Sequence, residues 1–226
     1  MLKAVLVGPL FACWVALANA APILFTSSQF LVATAASTST LADADNASNP
    51  PTALPLIIDS TVFDVNNFAS GASIAASGLL NTSADVITTT GFASAVGSAE
   101  FIGMFTAMEP SVLLQFSPFN SSDFTNGATA FSGGSLLVRL TSGTSTLFDQ
   151  LFTVGGPISA RIPIPLGATG ILDILLFSEA SVLTGGSASN TATASFTATG
   201  VPEPAPLALL ALGLVALAWS RRQNRS

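Results

Sequence analysis

The stretch TATASFTA, residues 191–198, alternates polar and apolar side chains without a break. A period of two belongs to an extended strand with one wet and one dry face, and no helix can satisfy it. The alternation puts Thr191, Thr193, Ser195 and Thr197 on one face and Ala192, Ala194, Phe196 and Ala198 on the other. The pattern recurs upstream. AEFIGMF aligns Ala99, Phe101, Gly103 and Phe105; SVLLQF sets Val112, Leu114 and Phe116 against Leu113 and Gln115. TLFDQLFTV separates Phe148, Gln150, Phe152 and Val154 from Leu147, Asp149, Leu151 and Thr153. ISARIPI separates Ile158, Ala160, Ile162 and Ile164 from Ser159, Arg161 and Pro163. ILDILLF, residues 171–177, is read as a buried strand because of its β-branched residues and flanking glycines. Between the runs stand Gly133-Gly134, Ser142-Gly143, Gly155-Gly156, Gly167 to Gly170 and Gly185-Gly186, the punctuation of tight turns. Strands at this spacing predict an all-β, antiparallel β-sandwich. The polar segment 37–55, STSTLADADNASNPPTALP, reads as a connection within the domain.

Composition narrows the chemistry. Only 8% of the 226 residues are charged, and there is neither His nor Tyr. The commonest general base and the commonest metal ligand are therefore both missing. Between residues 21 and 201 two arginines face eleven acids, a net charge of about −9. Such a surface repels phosphate backbones, so nucleic acid is excluded as an expected partner. The single cysteine, Cys13, lies in the N-terminal apolar run and leaves the rest of the chain without a thiol.

Both ends read as addresses. Lys3, the apolar run from Ala4 to Ala18, and Ala18-Asn19-Ala20 form a secretory signal peptide over 1–20, with cleavage before Ala21. Gly8-Pro9 opposes an uncleaved anchor, and the bulky Phe11 opposes a lipobox ending at Cys13. At the other end, Val201-Pro202-Glu203-Pro204 is followed by an apolar run from Ala205 to Trp219 and then by Arg221, Arg222 and Arg225. Fifteen residues at the helical rise cover about 22 Å, short of the ~30 Å hydrocarbon core. A short transmembrane helix of that length suits a transient inner-membrane anchor, with the arginines as a cytoplasmic stop.

In that order, Val201, Pro202, Glu203, Pro204, an apolar Leu/Ala helix and Arg221-Arg222 resemble the PEP-CTERM sorting segment of Gram-negative bacteria. The resemblance covers 201–226, about a tenth of the chain, and leaves 21–200 as the sandwich domain. It implies recognition by an exosortase after signal peptidase has acted, removal of the tail near Pro-Glu-Pro, and delivery to the cell surface, outer envelope or extracellular matrix. It further implies a link to exopolysaccharide and biofilm.

Within the domain, candidate chemistry is sparse. Asp43, Asp45 and Asn46 suggest calcium, but an EF-hand register fails at Ala47, Ser48 and Leu54. Asp123 with Asn120, Ser121, Ser122 and Asn126 is explained by turn chemistry. A glycosidase pair among the eleven acids lacks the Trp or Tyr that would stack a sugar. Thr191, Thr193, Thr197 and Thr199 with Thr88-Thr89-Thr90 raise an ice-binding face, although no internal repeat aligns them. The expectation is thus no enzyme, no catalytic residue, no cofactor and no metal. In their place stands an exported structural or adhesive protein whose partners are exopolysaccharide or copies of itself; the alternative is a polymer- or ice-binding module. The intact mass of the protein recovered from the surface of its host tests both addresses. It is expected to begin at Ala21 and to end near Pro202 to Pro204, and a mass that retains the arginines would refute the sorting argument.

Overall fold

The structure, a computed structural model, describes residues 21–49, 55–125, 130–153 and 155–201. The signal peptide, Pro202, Glu203, Pro204, Arg221, Arg222 and both terminal helices of the sequence reading lie outside those residues, as do Ala18 and Ala20. Thirteen strands are present: β1 (Ala21–Pro22), β2 (Phe25–Thr38), β3 (Ala42–Asn49), β4 (Leu56–Phe63), β5 (Asn67–Ala76), β6 (Leu79–Thr88), β7 (Ala93–Thr106), β8 (Ser111–Phe124), β9 (Ala130–Ser142), β10 (Ser145–Phe152), β11 (Ile158–Pro163), β12 (Thr169–Val182) and β13 (Gly186–Gly200). They form two antiparallel sheets. The seven-stranded sheet runs β11-β8-β13-β6-β5-β4, with β1 added beside β13. The six-stranded sheet runs β10-β9-β12-β7-β2-β3. The strands pack as the expected sandwich.

The period-two faces hold along β7, β8, β11 and β13, and in β10 with the exceptions of the exposed Gln150 and of Leu147. Val112, Leu114 and Phe116 are buried, as are Ala192, Ala194 and Phe196, Ile162 and Ile164, and Ala99, Phe101 and Phe105. In β10, Phe148, Gln150 and Phe152 pair with the buried Leu140, Val138 and Leu136, and a bulge near Thr146 lets Leu147 reach the core too. ILDILLF is less enclosed than expected. Leu172, Ile174 and Leu176 are buried, whereas Ile171, Asp173, Leu175 and Phe177 line the outer face.

The polar connection expected over 37–55 is a second departure, because residues 42–49 form the edge strand β3. Asp43, Asp45 and Asn49 have low strand propensity, but β2 offers a free row of backbone donors and acceptors from Phe30 to Ser37. The exposed acids then suit an outermost strand, since charge on an edge discourages further pairing. Likewise Asn120, Ser121, Ser122 and Asp123 belong to β8 and not to a turn, held by β13 through Ala192, Thr191, Asn190 and Ser189.

The inward side chains grow in size from one end of the sandwich to the other. Along β7 they run Ala93, Ala95, Gly97, Ala99, Phe101, Gly103, Phe105. Along β13 they run Ala188, Asn190, Ala192, Ala194, Phe196. The slender half is packed with Ala36, Ala69, Ala84, Ala95, Ala180 and Ala188. The bulky half holds Phe30, Phe101, Phe105, Phe116 and Phe196 among Leu, Ile and Val. Phe101 is the hub of its ring cluster, with centroids 5.2 Å from Phe25, 5.2 Å from Phe30 and 4.9 Å from Phe196. Gly103 and Gly170 vacate the volume these rings fill: a Cβ on Gly103 would stand 2.5 Å from Phe25, and one on Gly170 would stand 2.5 Å from Phe105.

At mid-sandwich the two backbones nearly touch. A Cβ on Gly71 of β5 would lie 2.3 Å from the Val96 carbonyl oxygen, and one on Gly97 of β7 would lie 2.7 Å from that of Ala72 and 2.9 Å from that of Ser83. Polar stitches cross the same seam. Thr34 and Ser60 share a 2.8 Å buried hydroxyl bond, and Ser73 Oγ donates to the Ala33 carbonyl at 3.2 Å. Gly71→Ala is therefore expected to lower unfolding free energy by about 1–3 kcal/mol, because the obstacle is backbone and cannot rotate away. The control is Gly133→Ala, whose Cβ meets only the Phe131 ring edge at 3.1 Å. It should be neutral or stabilising by up to ~1 kcal/mol in the same denaturant titration.

Candidate functional site

The outer face of the seven-stranded sheet is a lattice of short polar groups. Register alone builds its rows. One runs Asp59, Ala72, Ser83, Thr191, Ser121 across five strands. The next runs Thr61, Ser70, Asp85, Ser189, Asp123. Thr193 lies between Asn81 and Phe119, Ser195 between Leu79 and Ser117, and Thr197 beside Gln115. Five strands at the sheet spacing cover about 19 Å. The face thus presents hydroxyls, amides and carboxyls in register, interrupted by the exposed Ile57, Leu79, Ile87 and Phe119, and among the described residues its one cation is Arg161, at the β11 border. Burial raises the Asp85 carboxyl above its ordinary value.

Alignment of hydroxyls from several strands needs no internal repeat; unrelated strands supply it through register. The threonine run at 88–90 does not join it. Thr88 is buried, and Thr89 stands in the connection to β7, its hydroxyl donating to the Asn66 carbonyl at 3.0 Å.

The six-stranded sheet is different in kind. Its outer row Leu151, Leu137, Leu175, Glu100, Leu31 sets one acid among leucines. Desolvation by these neighbours, the adjacent Asp173 charge and a hydrogen bond to Asp173 together push Glu100 up to about 7. Asp173 Oδ1 is buried beside it without a hydrogen-bond partner. Arg139, opposite Asp173 in register, turns away and donates Nε to Asp149 at 3.3 Å.

A hollow of about 480 Å³ on this side is lined by Ser27, Ser28, Gln29, Ser48, Ile102, Met104 and Ile171, with no titratable group among them. Asp43, Asp45 and Asn46 stay exposed on β3, and the Asp45 carboxylate accepts the Asn46 amide at 2.8 Å. Among the described residues no three His, Cys, Asp or Glu side chains converge as a metal site would require. Nor does any helix among them have the length and apolarity to cross a membrane.

Of the expected address residues, Ala21 and Val201 are placed, and they meet. Ala21 pairs with Gly200, next to Val201. Val201 N–H donates to the Ser111 carbonyl at 2.8 Å, and Ser111 Oγ donates back to the Val201 carbonyl at 3.0 Å. Arg161 Nε in turn donates to Ser111 Oγ at 2.9 Å. Alternation within β1 or β13 gives no sign of this meeting, which depends on β13 outrunning β6.

A PEP-CTERM protein-sorting motif matches residues 200–222. This chain therefore carries the signal of exosortase-sorted export to the cell surface, and the motif starts at the last residue of β13. No curated protein matches the chain. Two solved structures are similar at low level. One is TmCBM61 in complex with beta-1,4-galactotriose: TM-score 0.25, 8% identity, covering 63% of this chain and 86% of that one. The other is the infectious bursal disease virus Gx strain: TM-score 0.16, 13% identity, covering 82% of this chain and 62% of that one.

Glu100 makes stability depend on pH with a definite sign. Its folded value is above its ordinary 4.5, so between pH 4.5 and about 7 the folded state holds a proton that the unfolded state has released. Stability is full below that window and falls as pH rises through it. Glu100→Gln is expected to reduce the fall by roughly 1–2 kcal/mol, the full shift being discounted for partial exposure. Thermal melts of both proteins at pH 4.5, 6 and 8 check this.

Proposed function

We propose that this exported protein is a non-catalytic matrix component whose seven-stranded sheet contacts exopolysaccharide. Signal peptidase removes residues 1–20 and exosortase removes the tail near Pro202 to Pro204. The domain then resides in the outer envelope or extracellular matrix of a Gram-negative cell. The observation that carries the binding role is the in-register array of Ser83, Thr191, Ser121, Ser70, Ser189 and Thr193 on β5, β6, β8 and β13. Hydroxyl and amide groups in fixed register can trade bonds with a sugar chain directly or through water. The face lacks Trp and Tyr platforms, so affinity per contact is small and the array works by repetition along a polymer. Its acids Asp59, Asp85 and Asp123 favour a neutral polysaccharide over an acidic one.

Ice is the second reading, supported by Thr191 and Thr193 standing two apart on the outward face of β13. Self-association is supported by the leucine row of the opposite sheet. Both accompany the same export route.

The test removes the hydroxyls and keeps the fold. The triple variant Ser83→Ala, Thr191→Val, Ser121→Ala is expected to lose at least about tenfold in co-sedimentation with purified host exopolysaccharide, while each surface change moves stability by no more than about 0.5 kcal/mol. Equal sedimentation of wild type and variant would overturn the polysaccharide contact. Thermal hysteresis in the wild type, absent from the variant, would move the assignment to ice.

A further inference from the structure

The bulky end of the sandwich collects the places where the chain enters and leaves the domain. Ile23 N–H donates to the Ala198 carbonyl at 3.1 Å, just after β1 pairs with the end of β13. The β7–β8 and β11–β12 connections cross there and are bonded to one another. Gly167 N–H reaches the Ala107 carbonyl at 2.8 Å, and Ile164 N–H reaches that of Pro110 at 2.9 Å. From these three bonded segments project Leu24, 83% exposed, Met108, 81% exposed, and Leu166, 69% exposed. A hollow of about 180 Å³ beside Leu24 and Met108 is walled by Ile23, Leu24, Phe105, Ala107, Met108 and Val112. The only acid in its wall is Glu109.

Apolar tips alone do not choose a partner. Val65, Leu183 and Leu41 are exposed at the slender end as well. The chain beyond Val201 makes the choice. Its apolar run begins at Ala205, four residues past Val201. Four extended residues reach about 14 Å at most. A bilayer that holds this run therefore lies within one short tether of Val201, on the side where Leu24, Met108 and Leu166 project.

We propose that, before the tail is removed, the bulky end rests on the lipid surface with Leu24, Met108 and Leu166 in contact with the bilayer interface. This rests on the reading that the apolar run of the sorting tail inserts in the membrane. Three apolar side chains on bonded loops, with a short tether, make a shallow interfacial contact of the kind that adds to an anchor without replacing it. The contact orients the domain so that the Pro-Glu-Pro segment lies at the membrane surface, next to the Ser111 and Arg161 bonds that end β13. The slender end points away from the bilayer.

The experiment uses the full chain with Cys13→Ala, reconstituted in phosphatidylcholine vesicles containing nitroxide-labelled lipid. Single cysteines introduced by Met108→Cys, Val65→Cys and Leu210→Cys each carry an environment-sensitive fluorophore. The Leu210 position is expected to be quenched by nitroxides deep in the acyl chains. The Met108 position should be quenched several-fold more than Val65 by nitroxides at the headgroup. Adding Leu24→Asp and Leu166→Asp should return Met108 to the Val65 level, with the melting temperature unchanged. A quenched Leu210 position with Met108 equal to Val65 would overturn the docking proposal and leave tail insertion standing. An unquenched Leu210 position would overturn insertion, and docking with it.

Discussion

Two backbones meeting without side chains between them is the constraint from which the rest of this sandwich follows. Sheets usually stand about 10 Å apart because their inner side chains hold them there. At Gly71 and Gly97 there is nothing to hold them, and the Val96, Ala72 and Ser83 carbonyls occupy the space a Cβ would need. The approach tolerates only alanine, serine and threonine around it, which is why Thr34, Ser60 and Ser73 are interior residues here and bond across the seam. Hydroxyls in a core are costly unless paired; close approach brings partners into range of these three, while the neighbouring Thr82 and Ser178 hydroxyls are buried without one.

Pinching the middle forces an asymmetry on the two ends. Bulky rings are displaced to one side of the seam, where Phe25, Phe30, Phe101, Phe105 and Phe196 cluster and Gly103 and Gly170 give way to them. The same end receives the entering and leaving chain, because β13 extends beyond β6 and β1 fills the space beside it. The most apolar end of the core and the start of the sorting motif are therefore neighbours. At the opposite end the β4–β5 connection is a short turn. There Asp64 is held down to about 2, first by the Asn66 backbone N–H and then by side-chain bonds that include Asn67.

The two outer faces divide the chemistry. One displays Ser, Thr and Asn in register; the other hides a carboxyl pair among leucines. Much of the first was legible in TATASFTA, because alternation names the outward residues of a strand whatever its neighbours are. Which strands flank it was not legible. Ser83 and Ser121 lie far from Thr191 in sequence and become its neighbours only through a register of non-consecutive strands. The partnership of Glu100 with Asp173 was hidden for the same reason, as was the strand β3, whose acids read locally as a loop and are overruled by the free edge of β2. The Thr88-Thr89-Thr90 run misled in the other direction, since a strand end turns one threonine inward and leaves the next in a connection.

By itself the sequence determined the all-β class, the inward and outward residues of its clearly alternating runs, and the sorting address at its end, because each depends on period, turn residues or a contiguous motif. Only the tertiary structure decided which rows those outward residues form, where the sheets pinch, and that Ala21 and Val201 share one end. Those outcomes are set by pairing between distant strands and by backbone contact across two layers, and neither leaves a trace in local order.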